Sequence, residues 1–258
     1  GPMGIITLLT DFGVKDPYVG VMKGVILGID PGARVIDMTH EVEPQDMREA
    51  AFLIDDYWRH FPPGTVHVAV VDPTVGSARR PLIVSAKGHH FVGPDNGVFT
   101  LLADNVPDIH VIENRNFMLF PVSSTFHGRD VFSPAAARLS RGYSPQAFGR
   151  RITDPVLLSD IHPVIEGRTL KGSVVRFDRF GNAITNIKGH ALRYFAGEGP
   201  FEIRMGKHVF AAIGKTYCEG GLACLEGSSG YLEFGVFKGD FRRETGTGKG
   251  DPVTVTLP

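Results

Sequence analysis

Val66-His-Val-Ala-Val-Val-Asp-Pro-Thr-Val-Gly-Ser-Ala-Arg79 carries an almost uninterrupted apolar run to a carboxylate, Asp72, then turns through glycine to an arginine, Arg79. Strands buried on both faces of a parallel sheet read this way, and open α/β sheets collect ligands beyond the carboxyl ends of their strands. Chemistry is therefore expected at that edge. The first strand, Gly4-Ile-Ile-Thr-Leu-Leu-Thr-Asp11, repeats the arrangement and is followed by Phe12-Gly13. Two carboxylates thus stand at one edge.

Outward from these strands, the first part of the chain alternates strand and helix. Asp16-Pro17 resembles an N-cap followed by proline, and Val19, Met22, Ile26 and Ile29 recur at helical spacing until Pro31-Gly32. A strand is predicted at 34–38. A second helix opens near Pro44, buries Met47, Ala51, Ile54 and Trp58 on one face, and stops at Pro62-Pro63-Gly64. Further strands at 82–86, 90–93 and 109–113, and helices at 97–103 and 130–140, complete the pattern of a mainly parallel sheet covered by helices. Residues 142–170 are rich in turns and proline. Beyond them, seven short β candidates separated by glycine turns, with no convincing helix, predict a smaller all-β, barrel-like domain. The expected fold is α/β, with an α/β/α domain over 1–165 and the β domain over 166–258.

The charge balance narrows the partners. The 258 residues are 42% hydrophobic and 21% charged, and 27 Lys+Arg nearly cancel 28 Asp+Glu. No general basic field attracts nucleic acid or an anionic membrane, so a small neutral or zwitterionic ligand fits better. No apolar run approaches the roughly 18 residues of a membrane span. The start lacks a signal peptide's basic and apolar regions, and Gly1-Pro2 ahead of Met3 reads as a cloning remnant. Cys218 and Cys224 are expected as reduced thiols of a cytoplasmic protein.

Several segments concentrate polar chemistry. Thr10-Asp-Phe-Gly13 mimics a kinase metal-binding tripeptide, but no glycine-rich loop precedes it. Asp11 could cap a turn, Asp16 reads as an N-cap, and Asp72 with Arg79 could be a surface ion pair. Against the last reading, Asp72 follows apolar residues and precedes Pro73, which holds its backbone extended and its carboxylate partly buried. Gly93-Pro-Asp-Asn-Gly97 is a turn entering a helix. Ser124-Thr-Phe-His-Gly-Arg-Asp130 crowds an aromatic, an imidazole and an ion-pairing set before a helix. Asp178-Arg-Phe-Gly-Asn182 ends a strand with an acid and an amide, and Gly227-Ser-Ser-Gly-Tyr231 is a hairpin turn or an anion-binding nest. No histidine–acid spacing or C-x-x-C pair argues for a metal.

Taken in order, Thr10-Asp-Phe-Gly13 with Asp16, Val71-Asp-Pro-Thr-Val-Gly76 with Arg79, Gly93 to Gly97, Phe126-His-Gly-Arg-Asp130, Asp178 to Asn182 and Ser228-Ser-Gly-Tyr231 resemble the S-adenosylmethionine hydroxide adenosyltransferases. These are water-using relatives of the fluorinating and chlorinating enzymes that attack the same substrate. The resemblance implies an α/β domain joined to a β-barrel, in a homotrimer whose sites lie between one subunit's first domain and the next subunit's barrel. It implies that Asp11 holds the ribose hydroxyls with support from Asp16, and that Asp178 and Asn182 bind the amino-acid end. Ser228 and Ser229 would take the carboxylate, and Tyr217 and Phe126 would pack on adenosine. Asp72, Arg79 and His127 would ready a water molecule, with no cofactor and no metal. Asp72 stands where the halogenating relatives carry a tyrosine, and Gly128 where the fluorinating enzyme has a halide-contacting serine; both favour water over halide.

The expected reaction is hydrolysis of S-adenosyl-L-methionine (SAM) to adenosine and L-methionine by in-line attack at ribose C5′. Arg79 cannot act as base, but its charge favours hydroxide beside it, and Asp72 or His127 must accept or relay the proton. The alternatives are a SAM-dependent halogenase, a non-catalytic SAM or adenosine sensor, and a metal-dependent phosphoesterase.

Overall fold

Each apolar run of the first unit ends on glycine, proline or an acid, and the computed structural model turns nearly every one into a regular element. It describes residues 4–214 and 221–258 and divides into two units, one up to Leu158 and one from Ser159. The first contains β1 (Ile5–Thr10), α1 (Tyr18–Ile29), β2 (Arg34–Thr39), α2 (Met47–Tyr57), β3 (Val66–Val70), β4 (Pro81–Ala86), β5 (His89–Pro94), β6 (Asp108–Val111), α3 (Ser133–Ser140) and β7 (Arg151–Ile152). Its seven-stranded sheet has the order β2-β1-β3-β5-β4-β6-β7. The four strands from β2 to β5 pair in parallel. The remaining three continue antiparallel.

Both faces of this sheet are covered, which is why β3 carries no polar alternation: all five of its residues are buried. Ile6, Leu8 and Val68 pack with Met22 and Ile26 of α1 and Ala135 of α3 on one side. Leu9, Ala69 and Leu82 pack with Ala50, Ile54 and Trp58 on the other. α2 starts at Met47, a little after the Pro44 expected, because Asp46 caps it and accepts the Glu49 N–H at 2.9 Å.

Some local expectations are corrected. Asp16 does not cap α1; the cap position is Pro17, without a side-chain bond. The helix expected at 97–103 is a 3-10 helix over Thr100–Asn105. That at 130–140 begins as a π-turn over Gly128–Phe132 before α3.

The second unit contains β8 (Val164–Glu166), β9 (Thr169–Phe177), β10 (Ala183–Lys188), α4 (Gly189–Ala196), β11 (Glu202–Met205), β12 (His208–Phe210), β13 (Leu222–Glu226), β14 (Tyr231–Val236), α5 (Phe241–Thr245) and β15 (Pro252–Thr256). Its strands follow the order β12-β11-β15-β9-β10-β14-β13, with β8 also on β9. Every pair is antiparallel, and Val174, Ile187, Phe234 and Val255 share its core. Two helices interrupt what reads as all strand. α5 is set by local chemistry: Asp240 accepts the Arg243 N–H at 3.0 Å, and Gly246, at φ +70°, stops the turn. Among the described residues, no helix is long and apolar enough to cross a membrane.

Candidate active site

β3 delivers Asp72 two residues beyond its end, and the position is locked from behind. Asn96 Nδ2 donates to the Val71 carbonyl at 2.7 Å while its Oδ1 accepts the Val98 N–H. Thr74 donates from both its N–H and its hydroxyl to Asp72 Oδ1, at 3.3 Å each. The chain then turns at Gly76, φ +78°, where a Cβ would lie 2.2 Å from the Ser124 carbonyl. Only glycine lets the 72–79 loop approach the 123–127 loop so closely. That second loop is anchored by buried Asp130, whose Oδ2 accepts the Ser123 N–H at 2.8 Å and the Arg129 guanidinium at 3.0 Å.

The approach of the two loops joins three of the expected residues. Arg79 Nε donates to both Asp72 oxygens at 3.2 and 3.1 Å, and one terminal nitrogen reaches Oδ2 at 2.5 Å. The same nitrogen lies 2.9 Å from His127 Nδ1. The side chains of Arg79 and Asp72 are only 6% and 4% exposed, so this is a buried ion pair and not a surface one. Arg79 also lies 5.4 Å over the Phe132 ring. Guanidinium can only donate, so His127 Nδ1 accepts, and the neutral ring carries its hydrogen on Nε2. Burial, and then the charge of Arg79, push the imidazole pKa below its ordinary value against the opposing pull of Asp72 and Asp130.

Asp11 is half-buried, and its Oδ2 accepts the N–H of Gln45, a residue held at φ +66°, at 2.8 Å. Phe12, Tyr18 and Phe126 form an edge-to-face trio with centroids 5.3 to 6.0 Å apart. Their contact links the chain neighbour of Asp11 to the chain neighbour of His127. Asp16 is exposed.

In the second unit, Asp178 is engaged by its own turn. Its Oδ1 accepts the N–H groups of Phe180 and Asn182 at 2.9 and 3.0 Å, and its Oδ2 accepts Asn182 Nδ2 at 3.1 Å. Ser228 and Ser229 lie in the β13–β14 hairpin, where the Gly227 and Gly230 amides pair within the turn. The two turns stand at opposite ends of the β10–β14 pairing, one leading into Ala183 opposite Phe234 and the other into Tyr231 opposite Lys188. Tyr217 and Cys218 lie outside the described residues; Cys224 is buried, which pushes its thiol pKa up to about 12.

Three residues contribute to this site without a role assigned from the sequence: His40 and Gln45, which the sequence reading passes over, and Asn96, which it quotes only within the turn at 93–97. Asn96 and His40 carried a signal, since both follow the carboxyl ends of strands on the chemically loaded edge. Gln45 carried none, because it acts through its backbone. Among the described residues one carboxylate cluster, Glu43, Asp46 and Glu49, gathers oxygens within 4.8 Å. Its internal bonds are those of a helix cap: Glu49 Oε2 accepts the Glu43 N–H, and Asp46 caps Glu49.

Comparison with known proteins places the whole chain among relatives. The chain is 38% identical to a Thermus thermophilus protein named (R)-S-adenosyl-L-methionine hydrolase, over 97% of this chain and 98% of that one. A fluorinase of Actinoplanes sp. matches more distantly, at 28% identity over 71% of each chain. A crystal structure described as an uncharacterized conserved protein from Thermotoga maritima superposes with a TM-score of 0.90 at 37% identity, covering 98% of this chain and 100% of the other. Residues 6–149 match the N-terminal domain, and residues 172–254 the C-terminal domain, of SAM hydroxide adenosyltransferases. The chain is therefore a member of the SAM hydroxide adenosyltransferase family.

Proposed function

We propose that this protein hydrolyses SAM to adenosine and L-methionine, with Asp72, Arg79 and His127 as the catalytic residues. The observation that carries the reading is the interlock of these three side chains, a buried ion pair with one guanidinium nitrogen shared by an imidazole. A water oxygen attacks C5′ in line with the sulfonium. The C5′–O bond forms as the C5′–S bond breaks, and its electron pair leaves with sulfur as neutral methionine. As charge on sulfur is lost, a dry apolar surround favours the transition state over the cation, and the Phe12–Tyr18–Phe126 trio suits that need.

The geometry favours Asp72 as the proton acceptor. His127 Nδ1 faces Arg79 and its Nε2 already carries a hydrogen, so the neutral ring offers no free lone pair. Asp72 Oδ1 is taken by Thr74 and Arg79, so Oδ2, whose partner is Arg79 alone, is the oxygen that receives the proton. The base need not be strong, because an oxygen gaining its third bond becomes acidic as C5′–O forms. His127 then orients Arg79, and its Nε2–H can hold the attacking oxygen.

In the same reading Asp11, with Asp16, receives the ribose, and Phe126 and Tyr217 pack on adenosine. Asp178, Asn182, Ser228 and Ser229 take the amino-acid end. The protein is read as a cytoplasmic homotrimer using neither cofactor nor metal; the resemblance supports the trimer, which sedimentation equilibrium would test. Incubation with SAM in ¹⁸O-labelled water should place one label in the 5′-hydroxyl of adenosine. Intact SAM would make the protein a sensor, and 5′-halo-5′-deoxyadenosine in chloride or fluoride would make it a halogenase. Loss of turnover on chelation would contradict the metal-free mechanism.

A further inference from the structure

A third strand end reaches the edge that carries Asp11 and Asp72. The β1–β2 register slips there: Leu8 faces Asp37, whereas Leu9 faces Thr39, so Met38 is an extra residue on β2. Such a bulge re-aims the residues that follow, and here it sets His40, 6% exposed, beside the Asp11 segment.

His40 holds that segment from both sides. Before Asp11, its Nδ1 lies 2.8 Å from Thr10 Oγ1, which accepts the Phe12 N–H at 3.2 Å. After Asp11, its carbonyl accepts the Gly13 N–H at 2.7 Å, with Gly13 at φ +67°. On the far side of the ring, Nε2 lies 2.7 Å from Asp37 Oδ1, and Lys23 Nζ lies 2.5 Å from Asp37 Oδ2. The directions close consistently. A carboxylate only accepts, so Nε2 carries the hydrogen; the Phe12 amide only donates, so the Thr10 hydroxyl is free to donate to Nδ1. An apolar side chain would fill the same space without desolvating polar groups, so the relay points to a positional role.

We propose that His40 is a positioning residue for substrate binding, holding Asp11 and Phe12 through Thr10 and Gly13 in the geometry that receives the ribose diol. Lys23 and Asp37 fix its tautomer. The proposal rests on the assignment of Asp11 to the ribose hydroxyls.

Adenosine binding by calorimetry and SAM turnover test it together, with Asp11→Ala as reference. His40→Asn sets an amide oxygen near the position of Nδ1 and retains the Thr10 link; His40→Gln reaches toward Asp37 and loses it. Expected for His40→Gln is an adenosine Kd and a SAM KM raised about tenfold, the scale of one lost hydrogen bond, with kcat within about twofold. Thr10→Val, which leaves the imidazole in place, carries the same expectation. His40→Asn should recover most of the affinity, and the double variant Thr10→Val/His40→Gln should bind no more weakly than either single one. Wild-type affinity in His40→Gln and Thr10→Val beside weakened binding in Asp11→Ala overturns the clamp alone. Unchanged binding in Asp11→Ala overturns the ribose assignment and the clamp with it. A lowered melting temperature with unchanged Kd and KM assigns His40 to stability and overturns the proposal.

Discussion

His127 can accept from Arg79 only while its ring is neutral. Protonation would place a hydrogen on Nδ1 against a guanidinium 2.9 Å away and part the two loops. Burial and Arg79 already hold the imidazole pKa below 6.5, so the neutral form prevails at neutral pH. We therefore expect kcat/KM to be level through neutral pH and to fall on acidification below 6.5. His127→Asn offers a carbonyl in place of Nδ1 and does not titrate; it should be slower but lose this acid limb. An acid limb that survives the substitution would assign it to another group. Asp72→Asn should cut kcat about 10²–10⁴-fold, the usual worth of a base, while adenosine affinity stays near wild type. Arg79→Lys should also fail, because a single ammonium cannot span both Asp72 oxygens and the imidazole. Asp72 and Arg79 were legible in the sequence because one apolar run and one glycine turn place both. His127 joined them only through the resemblance and not through the chain's own pattern, since its partner lies 48 residues away and the contact depends on how two loops meet.

Gly76 shows how an element, and not a side chain, can make a site. At φ +78° and with Ser124 O 2.2 Å from where its Cβ would be, it permits the approach that carries Arg79 to His127. Gly76→Ala should lower stability by about 1–3 kcal/mol through backbone strain and contact, measured by urea unfolding, and turnover should fall because the loops part. Wild-type turnover in a folded Gly76→Ala protein would show that the approach is not needed. Strand positions were legible for the same physical reason that they fold: runs such as Val66–Val70 are buried throughout. Strand direction was less so. β4 and β5 are joined by Lys87-Gly88, both at positive φ, +50° and +80°. That is the geometry of a two-residue hairpin, which reverses the chain where a crossover would have kept the sheet parallel. α4 and α5 were missed because eight and five residues are too short for a 3.6-residue period to stand out among glycine turns.

At the scale of the whole fold, the division into an α/β part and a mainly antiparallel β part is carried by the change from helical to glycine-punctuated short-strand grammar. The buried polar chain at the centre of the first sheet is invisible in that grammar. Thr7 Oγ1 bonds His67 Nδ1 at 2.8 Å, and His67 Nε2 bonds His89 Nδ1 at 3.1 Å, with the rings stacked at 5.3 Å. Burial, reinforced by His89, pushes the His67 pKa from 6.5 down to about 3; burial alone lowers His89. In the unfolded chain both would titrate near 6.5. Between that value and the depressed folded one, the unfolded chain holds protons that the folded protein does not. Stability therefore rises with pH across the window and is lost as pH falls through it, by up to about 1.4 kcal/mol per pH unit for His67, with His89 adding in the same direction. Urea midpoints of the first unit should be level above pH 7 and decline toward pH 5. In His67→Gln the decline should be shallower but not abolished, because one of the protons that distinguish the states is gone while those of His89, His90 and His127, also lowered in the fold, remain. An undiminished slope would hand the acid sensitivity to the carboxylates instead. The activity limb assigned to His127 is separable from this one: it should reverse without unfolding and persist in His67→Gln.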